Sequence, residues 1–287
     1  MASKSLSKLK SEMTFNSDLT RLVDVMKGVA VAQYYVMDRK RVKYDGFSKA
    51  IEEIFAAYDF RYLRHPFTRI LKPKKLIVLV ATDSGFLGGL NMKVAQATMK
   101  YEGPDSHYLV IGERGVQYMK EFGKSCQVYP GINSDDTRFG LADKLTGDIL
   151  KLVLKDGYGQ VIIGTPHSIS FSAQRVEILN LIPCPLFFKG KPERPLTAEQ
   201  QAKDWVLDSK AEGFLEYLTA IWLRKRLVEI FDSAKLAEFG ARVMHLEGSY
   251  QTLTKADKQL KLQFFKARRE KIDQSLRESF TSQLLIE

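Results

Sequence analysis

The hydrophobic pattern is helical at both ends of the chain and strand-like between them. From Ser209 to Leu285 there is no proline, and only Gly213, Gly240 and Gly248 interrupt the run, so the stretch predicts one helix over most of its length. At 1.5 Å per residue that helix would be on the order of 100 Å long, several times the diameter of a small domain, and it requires a partner. Phe239, Val243, Leu246, Tyr250, Leu253, Asp257, Leu260, Phe264 and Ala267 recur at alternating spacings of four and three. This is the seam of a left-handed coiled coil with one polar layer at Asp257.

A second long helical segment runs from Ser5 to about Tyr58. Leu19, Leu22, Met26, Val29, Gln33 and Val36 again step by three and four, and Phe47, Ala50, Ile54 and Ala57 continue an apolar face. Gly28 and Gly46 lower helix propensity while letting two backbones approach closely. The chain leaves through the first segment and returns through the last, so the two must pair antiparallel. Tyr62 to Pro73, with His65-Pro66 and Lys72-Pro73, ends the first helix.

The insertion between them alternates strand and helix. Lys75 to Thr82 is a continuous β-branched apolar run, as expected of a strand covered on both faces, and a glycine-bearing turn and a helix to about Tyr101 follow it. His107 to Gly112, Cys126 to Tyr129 and Gln160 to Thr165 read as further strands, separated by helices at Arg114–Phe122 and Thr137–Lys155. Right-handed crossovers then give an open, mostly parallel sheet, with Gln174 to Leu181 available as an edge strand. Pro183, Pro185, Pro192 and Pro195 form a linker back to the last helix. The expected organisation is an N-terminal coiled-coil helix over 1–60, an inserted Rossmann-like α/β domain over 74–195, and a C-terminal coiled-coil helix over 203–287.

Composition narrows the function classes. Of 287 residues 45% are hydrophobic, enough for a core, yet no run approaches the ~18 apolar residues of a membrane span and the N-terminus lacks a signal core. Membrane association is therefore expected only through partners. Cys126 and Cys184 cannot make a disulfide framework or a four-thiolate zinc site. A net charge of +10 favours an anionic partner, and nucleic acid, lipid head groups and an acidic protein all satisfy it. Lys255, Lys258, Lys261, Lys266, Arg268, Arg269 and Lys271 fall within about five turns of the last helix; they read either as a solvated face or as a positive collar for an acidic partner. No aromatic platform is interleaved with them, which argues against single-stranded nucleic acid.

Catalytic chemistry is not legible. The turn Asp83-Ser84-Gly85-Phe86-Leu87-Gly88-Gly89 lacks both the Gly-x-Gly-x-x-Gly spacing and a Gly-Lys-Ser/Thr ending, so Gly85, Gly88 and Gly89 are read as a structural turn in preference to a phosphate cradle. His65, His107, His167 and His245 have no metal-ligand spacing, and Ser168, Ser170 and Ser172 have no nucleophile elbow around them. Asp135-Asp136 reads as a helix cap. No catalytic residue, metal or cofactor is expected.

The order of parts, opened by Thr82-Asp83-Ser84-Gly85-Phe86-Leu87-Gly88-Gly89-Leu90-Asn91, resembles the γ subunit of F-type ATP synthases, whose loop reads Ser/Thr-Asp-x-Gly-Leu-Cys-Gly-Gly-Leu-Asn. Val25 to Gln33 is similar to that family's Ala-Met-x-x-Val-Ala-Ala-Ser-Lys. Glu238 to Leu246 is similar to Glu-x-Ala-Ala-Arg-Met-x-Ala-Met, and Leu262 to Arg269 to Leu-x-Tyr-Asn-Lys-x-Arg-Gln. The likeness covers essentially the whole chain. Departures fall at Phe86-Leu87, at Gln33 in place of Lys, at Arg269 in place of Gln, and at Trp205 to Ser209, which only loosely echoes an aromatic foot motif.

The resemblance implies a non-catalytic rotor, the central stalk that couples ion flow through a c-ring to ATP synthesis or hydrolysis. Its coiled coil would stand inside a ring of α and β subunits, with Met26, Val29, Gln33, Arg242, Lys266, Arg268 and Arg269 as contacts to that ring. Trp205 and Asp208 would lie in a foot meeting the ε subunit and the c-ring, at the cytoplasmic face of a bacterial inner membrane. A stiff asymmetric shaft of this kind acts only as far as each site's states differ in their contact with it. Alternatives are the rotor of a paralogous ATPase without a c-ring, a nucleotide- or phosphate-binding α/β enzyme with helical dimerisation arms, and a basic coiled-coil nucleic-acid binder.

Overall fold

The computed structural model describes residues 5–40, 46, 50–51, 60, 63–133, 135–185 and 210–284. Its elements in order are α1 (Leu6–Lys40), β1 (Lys75–Val80), α2 (Leu90–Met99), β2 (Ser106–Ile111), α3 (Glu113–Glu121), β3 (Gln127–Tyr129), α4 (Asp135–Leu154), β4 (Gln160–Ser168), β5 (Gln174–Ile182) and α5 (Ala211–Leu284). They form two units, one of Met1–Ala32 with Arg242–Glu287 and one of Gln33–Ala241.

The larger unit is built on a five-stranded sheet in the order β3-β2-β1-β4-β5. The first four strands are parallel, with Lys75 opposite both Ser106 and Gln160, and β5 returns antiparallel along β4 at the edge. The run Lys75–Val80 is buried on both faces, and successive side chains divide between two layers. Leu76, Val78 and Val80 pack with Leu145 and Ile149 of α4 and Leu223 and Leu227 of α5. Ile77 and Leu79 pack with Val94 and Ala95 of α2 and Met119 of α3. A continuous apolar strand is thus explained by helices on both sides of it.

The start of α5 is a full member of this unit. From Leu227 to Ala241 every residue is buried except the half-buried Glu229 and Lys235, as expected of a helix that is apolar on more than one side. Its buried charges are paired: Asp232 with Arg138 of α4, and Glu238 with Lys235 at 2.8 Å. Tyr34 and Met37 of α1 pack with Leu236, Phe239 and Phe171, the last from the β4–β5 turn.

The smaller unit is an antiparallel helix pair. Asn16 donates from Nδ2 to the Leu253 carbonyl at 3.1 Å, and Lys27 meets Glu247 at 3.1 Å, so rising numbers in α1 face falling numbers in α5. On α5 the expected seam is the one found: Val243 and Leu246 are buried, and Tyr250, Leu253, Asp257, Leu260, Phe264 and Ala267 are half-buried.

On α1 the expected seam is corrected. Leu22, Val29 and Val36 are 55%, 53% and 55% exposed, Gln33 is exposed too, and only Leu19 and Met26 reach half-burial. The inward face is instead Leu9, Asn16, Val23 and Ala30, seven residues apart, with Met13, Thr20 and Lys27 beside them. The physical reason is composition. The seam mixes Leu9, Met13 and Val23 with Asn16, Thr20, Lys27 and Ala30, while the more uniformly aliphatic stripe faces outward; Gly28 is exposed with nothing within 4 Å of where its Cβ would stand, so it serves no close approach of the backbones. Of the helix expected beyond Lys40, Phe47, Ile54 and Ala57 lie outside the described residues, while Ala50 and Ile51 are helical and Ile51 is buried.

Candidate functional site

In the smaller unit each helix carries two faces, one that pairs and one that does not. On α1 the outward stripe is Phe15, Leu22, Val25 and Val29, all at least half exposed. At 100° per residue they fall on one side of the helix, away from Leu9, Asn16, Val23 and Ala30. On α5 the corresponding outward residues are Leu262, Phe265, Ile272, Leu276 and Phe280. Every side chain from Arg268 to Thr281 is exposed. With Asn16 opposite Leu253, the described start of α1 lies opposite about residue 264, so α1 covers none of that final stretch.

Electrostatics set the pairing. Lys27 bonds Asp24 at 3.0 Å and Glu247 at 3.1 Å, and its ammonium lies 4.5 Å from the centre of the Tyr250 ring. The hydrogen bonds that Lys27 donates to Asp24 and Glu247 raise its pKa. Those from Gln251 and Lys27 hold the Glu247 carboxyl below the usual range. Asp257 of the polar layer pairs with Lys261 at 2.6 Å. Lys255, Lys258, Lys266, Arg268, Arg269 and Lys271 are exposed.

The turn after β1 directs most of its polar groups to its own neighbours, with Asn91 Oδ1 buried and without a hydrogen-bond partner among the described residues. Asn91 Nδ2 donates to Thr82 Oγ1, which donates to the Ser84 carbonyl, each at 2.9 Å. Asp83 accepts from the Glu113 N–H at 2.9 Å and from Asn133 at 3.1 Å, tying this turn to the start of α3 and the loop after β3. Gly88 and Gly89 take φ of 57° and 84°, and Phe86 takes 62°. Left-handed backbone at Phe86, where a side chain is strained, holds the tight entry into α2. Leu87 and Leu90 then pack on Ala241 of α5. The position of Gly85 near Arg114 leaves room for a Cβ at 3.6 Å.

The histidines serve separate structural contacts. His65 lies 3.3 Å from Glu216, and His167 meets Ser233 at 2.8 Å and Glu177 at 3.1 Å through the same Nδ1. These contacts link the β4–β5 hairpin to α5. Among the described residues no group of three or more His, Cys, Asp and Glu side chains could hold a metal ion, and no helix is long and apolar enough to cross a membrane.

Of the residues singled out in the sequence, the structure puts Val29 and Gln33 on the outward side of α1, Met26 at its margin, and Lys266, Arg268 and Arg269 on exposed α5. Arg242 is half-buried. Trp205 and Asp208 lie outside the described residues. Periodicity placed Leu22 and Val29 in the seam and left Phe15 and Val25 unassigned, so the outward stripe on α1 was not legible as one surface. The signal was present in the heptad Leu9, Asn16, Val23, Ala30, which is weaker only because it contains Asn and Ala.

A family profile described as ATP synthase matches residues 5–281. The chain is 22% identical over 278 residues to the ATP synthase gamma chain of Halothermothrix orenii, covering 94% of this chain and 95% of that one. It is 21% identical over 286 residues to that of Trichlorobacter lovleyi, covering 96% of each. Among solved structures, a chain of the Euglena gracilis mitochondrial ATP synthase assembly of OSCP, F1 and c-ring superposes with a TM-score of 0.72 at 15% identity, over 98% of this chain and 94% of that one. A chain of the Tetrahymena thermophila central stalk and c-ring gives 0.61 at 14%, over 79% and 99%.

Proposed function

The chain belongs to the ATP synthase family as a γ chain, and we propose from that premise that its outward helical faces are the surfaces that turn against the catalytic ring. It is the central-stalk subunit, non-catalytic, with nucleotide chemistry on the β subunits of the complex. The reading of an α/β enzyme with helical arms is thereby set aside.

One observation carries the proposal. Both helices of the smaller unit expose aliphatic and aromatic side chains on the face opposite their seam, and α5 continues past the described cover of α1 with such residues still in register. A helix that needed only its partner would place them in the seam. Met26, Val29 and Gln33 on α1, and Arg242, Lys266, Arg268 and Arg269 on α5, are the contacts to the α and β subunits. The apolar stripe gives shape-dependent contact and the cations give attraction to acidic ring surfaces. Rotation then alters how each β site meets the shaft, and each site responds by the difference in contact energy between its states. The foot, with Trp205 and Asp208, meets the ε subunit and the c-ring, so that ion flow drives the shaft. The subunit is membrane-peripheral; we place it at the cytoplasmic face of a bacterial inner membrane, a reading supported by its bacterial relatives.

Purification of the tagged chain from its native cells tests the assignment of partners. Recovery of α, β, ε and c subunits with ATPase activity is expected. Recovery of α- and β-like subunits without a c-ring would replace the coupled synthase by a paralogous motor.

A further inference from the structure

A surface far from the helical stripes in sequence has chemistry of its own. The loop that enters β1, Arg69-Ile70-Leu71-Lys72-Pro73-Lys74-Lys75, holds four cations, two aliphatic side chains and no carboxylate. Residues 69–74 are all exposed, Ile70 at 58% and Leu71 at 40%. The loop is held firmly on the turn after α4. The Gly159 N–H donates to the Lys74 carbonyl at 2.9 Å, a Cβ at Gly159 would overlap the Lys72 backbone, and one at Gly157 would overlap the Lys72 side chain. The Lys74 ammonium lies 5.9 Å from the centre of the Tyr158 ring. That turn adds the exposed Lys155 and Leu154, the latter 41% exposed. Asp105 and Asp156 are the carboxylates felt by Tyr158 at this end of the sheet, yet Lys72, Lys74 and Lys155 form no ion pair among the described residues.

We propose that the loop at this end of the sheet, centred on Ile70, Leu71, Lys72 and Lys74, docks on an anionic phospholipid surface. Its cations are mainly lysines, compact charges on flexible stems that suit a diffuse negative layer, whereas recognition of carboxylates on a protein favours the planar fork of arginine. Two exposed aliphatic side chains on a rigid loop supply shallow insertion beside that charge, the combination that makes surface binding cumulative. The interaction is independent of how the helices meet the catalytic ring.

Flotation of the purified full-length chain with phosphatidylcholine vesicles, with and without about one third phosphatidylglycerol, tests it. The chain is expected to float with the anionic vesicles, not with the neutral ones, and less as salt rises. A lysine near such a surface contributes about fivefold in partitioning, so Lys72→Glu with Lys74→Glu is expected to lower it at least ~25-fold. Ile70→Ser with Leu71→Ser lowers it too, with charge and helix content by circular dichroism unchanged. Lys255→Glu with Lys258→Glu on the coil carries the same charge change and leaves most of the binding in place. Absence of flotation by the unaltered chain, equal losses in the coil variant, or unchanged flotation of the loop variants would overturn the proposal. Unchanged flotation together with weakened capture of other subunits of the complex would replace the lipid by a protein partner.

Discussion

At the scale of single residues, one position apart decides between inside and outside. Val29 is half exposed and Ala30 is 1% exposed; Leu22 faces out and Val23 is buried. The sequence pattern of α1 contains both heptads, and reading by hydrophobicity selects the wrong one, because Asn16, Thr20, Lys27 and Ala30 dilute the true seam. Asn16 is tolerated there by its bond to the Leu253 carbonyl, and Lys27 by its two carboxylates. Opposite consequences follow for adjacent substitutions. Leu22→Asp or Val29→Asp is expected to change the stability of the isolated chain by no more than about 0.5 kcal/mol, as for ordinary surface positions. Val23→Asp places an unpaired charge in the seam and is expected to cost about 3 kcal/mol or more. Urea unfolding of the three variants followed by helical circular dichroism measures the contrast.

At the scale of elements, the long final helix lives in two environments. Its extent was legible, since an unbroken proline-free run from Ser209 to Leu285 corresponds to Ala211–Leu284. Its seam from Phe239 to Ala267 was legible too, because a strict four-three spacing is a distinctive signal. What the periodicity did not convey is that residues before Phe239 form a layer on the sheet: a helix covered on several sides has no single apolar stripe to read. The strands were found within three residues at each end because β-branched runs between turn residues are a clear signal, and β5, available from the sequence as an edge strand, takes that position. Contact between α5 and the β4–β5 turn was invisible, since part of it is the close approach that Gly240 permits. A Cβ there would come within 2.7 Å of Gln174 Nε2 and 2.9 Å of the Phe171 carbonyl oxygen. Gly240→Val is therefore expected to cost about 1–3 kcal/mol by overpacking, despite its better helix propensity than glycine. Thermal unfolding of the variant measures that cost, and a stabilised protein would mean that the turn yields freely.

At the scale of the whole molecule, the chain is a stalk whose chemistry is mechanical. The turn after β1, the most suggestive feature for ligand binding in the sequence, directs Thr82, Asp83 and Asn91 into its own loops. On the helices of the smaller unit, apolar stripes and cations stay exposed. In the proposed function the outward faces of α1 and α5 transmit rotation to the catalytic ring. Its most direct test is the number of ions moved per ATP hydrolysed by complexes carrying Leu22→Asp with Val29→Asp, or Arg268→Ala with Arg269→Ala, after confirming that each complex assembles. This ratio is expected to fall at least about threefold in both while the α/β unit stays folded. An unchanged ratio in fully assembled complexes would contradict the proposed function.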